Sequence, residues 1–207
     1  MNHSHDRLIH WARAYDLANG LLGRRGSRLR KMFADDLGLR TGDRVLDVGC
    51  GTGRLAMIFA ERVAPTGSVT GIDAADEMIK RATSRARKQD LPIAFQAAFA
   101  QRLPFPNATF DAVACTLALH HVAEDDQQTA VQEMYRVLRP DGRLLIAEFD
   151  QGHGPHLRLR WLRPSAPDHM AERAHRLVNA AGFTGVTSRP TTLGWLSKIT
   201  ARKGPAS

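Results

Sequence analysis

Apolar and polar positions along the chain switch repeatedly between a period of two and a period near 3.6. That alternation predicts strands interleaved with helices, an α/β domain on a mostly parallel sheet. Strands are expected at about 43–48, 67–73, 91–97, 109–116 and 142–149, with helices at about 53–63, 75–89 and 124–138 between them. Each helix carries end signals. Pro65 and Gly67 follow the first, and Asp76 and Glu77 open the second, whose later turns hold Lys and Arg as the macrodipole favours. Glu124, Asp125 and Asp126 open the third, which stops before the turn Pro140-Asp141-Gly142. Two more helices, about 7–21 and 25–37, are expected ahead of the first strand. Gly152, Gly154, Pro155, Pro164 and Pro167 then mark a connection, after which a helix at about 168–181 and strands near 183–188 and 193–202 close the sheet.

The first strand runs into Asp47-Val48-Gly49-Cys50-Gly51-Thr52-Gly53-Arg54-Leu55-Ala56, an acid at the strand end followed by three alternating glycines and a helix. Glycines at that spacing allow a tight turn whose backbone can approach a bound group, and the next helix aims its free N–H groups at the same place. Twenty residues after Gly53, the strand Ser68-Val69-Thr70-Gly71-Ile72 ends in Asp73, where a mononucleotide-binding unit keeps its ribose carboxylate. Gly51 to Ala56 also satisfies the dinucleotide pattern G-x-G-x-x-(G/A), so a dinucleotide-dependent oxidoreductase is a rival reading. Against it stand Asp47 ahead of the glycines and the lack of a second mononucleotide unit. The segment Leu103-Pro104-Phe105-Pro106-Asn107-Ala108-Thr109-Phe110-Asp111, which runs into a strand and Thr116-Leu117-Ala118-Leu119-His120-His121-Val122, weighs the same way.

Composition narrows the setting. A chain of 207 residues suits one well-buried core, and it has no apolar run of membrane-spanning length or hydrophobic leader near Met1. A cytoplasmic location is the expectation. Cys50 and Cys115 sit in apolar or glycine-rich contexts, which suggests buried thiols and neither a disulfide framework nor a metal site. The net charge of +8 divides as +4 over residues 1–40, −3 over 41–150 and +7 over 151–207. Basic ends flanking a cleft would favour an anionic substrate or peripheral contact with a membrane surface. Nucleic-acid methylation is disfavoured: Cys115-Thr116-Leu117-Ala118 matches neither an Asn/Asp-Pro-Pro-aromatic group nor a Pro-Cys nucleophile, and interleaved aromatic and basic residues are lacking.

Together with Gly71-Ile72-Asp73, the Leu103-to-Asp111 segment and Arg136-Val137-Leu138-Arg139-Pro140-Asp141-Gly142, the glycine motif resembles that of class I S-adenosylmethionine-dependent methyltransferases. Tyr15-Asp16-Leu17-Ala18-Asn19 is similar to an N-terminal motif of the ubiquinone/menaquinone-biosynthesis branch. The resemblance runs from about Tyr15 onward and is densest over Arg44–Phe149. It implies a Rossmann-like sheet of seven strands in the order 3-2-1-4-5-7-6, the seventh antiparallel. It also implies N-terminal helices over the cleft in residues 1–40, a methyltransferase domain in 41–207 and a lid connection at 151–167.

The implied cosubstrate is S-adenosylmethionine. Asp47, Gly49, Gly51 and Gly53 would surround its methionyl part, Asp73 would take the ribose hydroxyls, and Ala74 and Met78 would edge the adenine slot. Leu117 would pack near the sulfonium, its carbonyl open to the amino group. Relatives commonly carry an acid for the adenine amino group where this chain has Ala98-Phe99-Ala100; Phe99 is expected to replace it by ring contact, with the Ala100 backbone serving the ring.

Methyl transfer from a sulfonium can proceed by alignment and desolvation, so no strong catalytic group is obligatory. For a hydroxyl or acidic carbon acceptor a base is useful, and His120 and His121 follow the fourth strand near the expected methyl position. His153 and His156 on the connection, Trp11 and Tyr15 on the first helix, and Arg158 and Arg160 for an anionic acceptor complete the candidates. The expected activity is methylation of a small-molecule acceptor, quinone-like or anionic, releasing S-adenosylhomocysteine. An inactive cofactor-binding regulatory module is the alternative, suggested by the missing adenine carboxylate.

Overall fold

The computed structural model describes residues 23–150 and 169–205. Seven strands form a single sheet: β1 (Arg44–Val48), β2 (Ser68–Asp73), β3 (Ile93–Ala97), β4 (Phe110–Thr116), β5 (Leu138–Phe149), β6 (Thr184–Pro190) and β7 (Leu196–Arg202). Their order is β3-β2-β1-β4-β5-β7-β6, with β7 antiparallel to both neighbours and the pairs from β3 to β5 parallel. This is the sheet the resemblance implied. The helices are α1 (Gly23–Asp36), α2 (Arg54–Val63), α3 (Asp76–Arg87), α4 (Gln127–Val137) and α5 (Met170–Ala180).

Alternation along the central strands sends side chains to two cores. Val45, Val69, Ala112, Ala114 and Leu145 join Leu55 and Phe59 of α2 and Phe33 of α1 on one face. Leu46, Ile72, Val113, Cys115 and Ile146 join Met134 of α4 and Val178 of α5 on the other. Both faces of β1 and β4 are thereby covered, which is why these strands read as nearly continuous apolar runs. Helix α1 follows the same logic: Leu29, Phe33, Ala34 and Leu37 recur at helical spacing and all are buried. The expected helix at 7–21 and connection at 151–167 lie outside the described residues.

Three expectations shift. The third helix starts later, because Glu124–Asp126 forms a separate 3-10 turn before α4. The fifth strand, expected at 142–149, begins at Leu138. Phe110 already pairs with Leu138, and the register resumes with Ala112 opposite Arg143, so the residues between form an irregularity inside the strand. Asp141 takes a left-handed φ of 61° there, so the Pro-Asp-Gly turn chemistry is expressed as a bulge in a strand and not as its boundary. The last turn is longer than expected: Thr191 N–H donates to Leu196 O at 2.8 Å, leaving β7 to start at Leu196.

Candidate active site

The carboxyl ends of β1, β2 and β4 converge on the glycine turn. Gly49 leaves β1 with φ 70°, and a Cβ on it would lie 2.2 Å from the Ala118 Cβ, so the turn and the segment after β4 meet at van der Waals limit. Gly53, with φ 76°, starts α2; a Cβ there would meet the Phe95 ring at 2.9 Å and the Ala82 Cβ at 3.0 Å. Any other residue at either position must move its neighbours as well as adopt a strained backbone. The turn is pinned by Cys50 N–H donating to Ile72 O at 2.8 Å and by the Arg85 guanidinium of α3 donating to Thr52 O.

Two carboxyl groups face each other across this turn. Asp73 is held as the sequence suggested, at the end of β2: its Oδ2 accepts Gly51 N–H and its Oδ1 accepts Ala75 N–H, each at 2.9 Å. Each oxygen keeps a free lone pair for a hydroxyl donor. Burial raises the Asp73 pKa and these two N–H groups pull it back. Asp47 is different. It is 1% exposed and neither of its oxygens has a hydrogen-bond partner. Burial, followed by the charge of Asp73, pushes its carboxyl up to about 7 against the pull of the nearby Ala56 N–H, which is not placed to make a hydrogen bond. A buried carboxylate without a donor is costly, and an ammonium group arriving from a ligand would satisfy it.

The adenine-side candidates gather nearby. Ala98 N–H donates to Asp73 O at 3.1 Å, which carries the Ala98-Phe99-Ala100 segment alongside the Asp73 strand end. Phe99 is 62% exposed, the one large apolar side chain so exposed among the described residues, while Ala100 packs against the core. Ala74 is exposed beside Asp73, and Met78, half-buried, lies in the first turn of α3 with its N–H on Ala75 O. Behind this segment Arg136 of α4 acts as a strut: it donates to the carbonyls of Leu103 and Phe105 and to Asn107 Oδ1, while its partner Glu133 accepts Leu103 N–H. The Leu103-to-Asn107 and Arg136-to-Gly142 motifs are thus two halves of one hydrogen-bonded unit.

On the other side, Leu117 has φ 54°, a left-handed conformation rare for a leucine, held by its N–H on Ala147 O at 2.8 Å. The chain then winds into a 3-10 turn, Leu119–His121, that brings His120 onto Glu148 of β5. Glu148 is fully buried; its Oε1 accepts the N–H of Leu119 at 2.8 Å and of His120 at 3.3 Å, and its Oε2 lies 2.8 Å from His120 Nδ1. Sequence reasoning missed Glu148. The signal was available as the single acid in the apolar run Leu144–Phe149. His121 stands against His120, ring centroids 4.0 Å apart, and desolvation and that neighbour lower its pKa. Beyond His120, Phe149 lies at 5.1 Å and Trp195 stacks on Phe149 at 5.8 Å and 23°. Both cysteines are free and buried, their thiols pushed up chiefly by burial. Trp11, Tyr15, His153, His156, Arg158 and Arg160 lie outside the described residues.

Residues 45–142 match the family described as "Methyltransferase domain". Over 143 residues the chain is 43% identical to the ubiquinone/menaquinone biosynthesis C-methyltransferase of Pseudomonas putida, a match that covers 68% of this chain and 55% of the relative. The chain therefore spans about half the length of the curated relatives it matches. Among solved structures it is similar in fold to the [4+2]-cyclase SpnF, with a TM-score of 0.76, 24% identity and coverage of 87% of this chain and 82% of that one. An S-adenosylmethionine-dependent methyltransferase from Aquifex aeolicus has a TM-score of 0.71 and 21% identity, with coverage of 84% of this chain and 88% of that one. Fold likeness to a cyclase and to a methyltransferase alike shows that the scaffold alone does not assign the reaction. The domain match, the sheet order and the sequence relatives together make residues 45–142 a methyltransferase domain and the chain similar to class I S-adenosylmethionine-dependent methyltransferases, the ubiquinone/menaquinone C-methyltransferases among them.

Proposed function

We propose that this protein transfers a methyl group from S-adenosylmethionine to a small-molecule acceptor of quinol type, releasing S-adenosylhomocysteine. The observation that carries the reading is the unpartnered, buried Asp47 carboxyl beside a glycine turn and a second carboxylate. That arrangement fits an amino acid joined to a ribose better than it fits a pyrophosphate, because a phosphate anion would meet two carboxylates where it needs donors.

In this reading Asp47 holds the ammonium of the methionyl part. Gly49, Gly51 and Gly53 let the backbone approach it, and the carbonyl of Leu117 faces the same group. Asp73 takes the ribose hydroxyls with the lone pairs its two backbone donors leave free. Phe99, with Ala74, Met78 and the Ala100 backbone, edges the adenine, an aromatic contact where relatives use a carboxylate. The identity to quinone C-methyltransferases supports the quinol class. The segment 151–167 and the residues ahead of α1 are proposed to cover the acceptor. Among the described residues no helix is long and apolar enough to cross a membrane.

Calorimetry with S-adenosylmethionine and S-adenosylhomocysteine tests the cosubstrate. Micromolar binding is expected, and a failure to bind at millimolar concentration would sink the reading. Transfer of radiolabelled methyl to hydroquinones tests the acceptor class; labelling of none of them, with cosubstrate binding intact, would remove the quinol assignment.

A further inference from the structure

Glu148 is the strongest group in the molecule that the cosubstrate site leaves unexplained. It is fully buried on β5, and its side-chain hydrogen bonds go to the turn after β4: two backbone N–H groups on one oxygen and the His120 imidazole on the other. Burying a carboxylate is costly and is offset only when such partners are in place. With Glu148 as the carboxylate that the two backbone N–H groups call for, the contact at Oε2 places a proton on His120 Nδ1, and in the neutral imidazole Nε2 then keeps its lone pair. His120 follows the contact between Ala118 and Gly49 by two residues, so it stands at the methionyl end of the cleft and not at the adenine end. Phe149 and Trp195 continue from its ring as an aromatic wall.

We infer that His120 is the general base of the reaction and Glu148 its positioning residue, so the acceptor reacts as the conjugate base of an ionisable hydroxyl against the Phe149–Trp195 wall. This rests on the methyl-transfer reading above. The acceptor gives its hydroxyl proton to His120 Nε2, and its nucleophilic atom forms the new bond to the methyl carbon. The S–CH3 bond breaks with its electron pair passing to sulfur, leaving a neutral thioether. The imidazolium is held against the Glu148 carboxylate until it loses the proton to water.

Among the described residues, the titratable groups against His120 are Glu148 on β5 and His121 in its own turn, with Cys115 on β4 beside Glu148. The Cys115 thiol feels both Glu148 and Asp47 and stays protonated. Asp47 titrates near neutrality in the free protein, so the profile to read is kcat at saturating cosubstrate, in which Asp47 is paired.

Two arms test the inference. In 15N-histidine NMR of the free protein, His120 should be the Nδ1–H tautomer when neutral, and Glu148→Gln should ease its deprotonation. An Nε2–H tautomer, or a titration unmoved by Glu148→Gln, overturns the inference whatever the acceptor. In the second arm 1,4-naphthohydroquinone and labelled S-adenosylmethionine are the probes. His120→Gln keeps a donor for Glu148 yet cannot act as base, and should lower kcat about 100-fold and abolish its acid limb, within the range for general-base catalysis, with S-adenosylhomocysteine affinity unchanged. Glu148→Gln should lower kcat roughly tenfold and move that limb to lower pH, with Glu148→Asp recovering part of the loss. Wild-type kcat in folded His120→Gln overturns the inference. Absence of transfer by the wild type defeats the quinol reading instead, while the NMR arm still judges the pair.

Discussion

At the scale of single residues, the two acids of the glycine turn behave differently, and pH separates them. Asp47 is raised to about 7 in the folded protein from the ordinary aspartate value of 3.8. Between those values the folded state holds a proton the unfolded chain has lost, so stability falls as pH rises, by at most about 1.4 kcal/mol per unit, and levels above about 7. Urea unfolding at pH 5 and pH 7 should show this slope in the wild type and its loss in Asp47→Asn; equal slopes would contradict the burial argument. A ligand ammonium needs the ionised form. Affinity for S-adenosylhomocysteine should therefore drop as pH falls below about 7, up to roughly tenfold per unit, and calorimetry across pH 5.5–8 checks it. Asp73→Ala should weaken that binding by about 1.5–3 kcal/mol through loss of charged hydrogen bonds. Unchanged affinity in a folded variant would mean the ribose lies elsewhere.

At the scale of elements, the Arg136 strut joins α4 to the loop ahead of β4, and it predicts a shared loss. Arg136→Ala removes donors to two carbonyls and Asn107 and leaves Glu133 without its counter-ion, so thermal unfolding should report about 2–3 kcal/mol of lost stability. The same variant should loosen the Phe99 segment, seen as faster amide exchange over 99–107. Most of this was legible in the chain because helices α2 to α4 and strands β1, β2 and β4 announce themselves by period and by end signals. Leu138 to Asp141 did not, since a bulge uses the same Pro-Asp-Gly chemistry as a turn and only the pairing with Phe110 reveals which it is. The Glu148–His120 contact was hidden for a related reason: it depends on the register of β4 against β5, which period alone leaves undetermined.

For the whole molecule, burial grades outward from the centre of the sheet. β1 and β4 are almost wholly buried, whereas β3 and β6 at the two edges are mostly exposed. Hydrogen exchange should follow that gradient, slowest in β1, β4 and β5 and fastest in β6, and uniform protection across the sheet would refute it. Strand order was available only through family resemblance, because periodicity finds strands without saying which are neighbours. The Gly49–Ala118 contact is also a seam. In the proposed reading, residues 44–118 before it would seat the methyl donor, and the histidine turn and aromatic wall after it would face the methyl recipient. A lineage can rework the second part, changing its clientele, as long as Ala147, Glu133 and Arg136 go on holding Leu117 and the Leu103–Asn107 loop of the first. Chimeras between homologues should accordingly be spliced after Ala118, where a methyl group is all that the glycine opposite can admit.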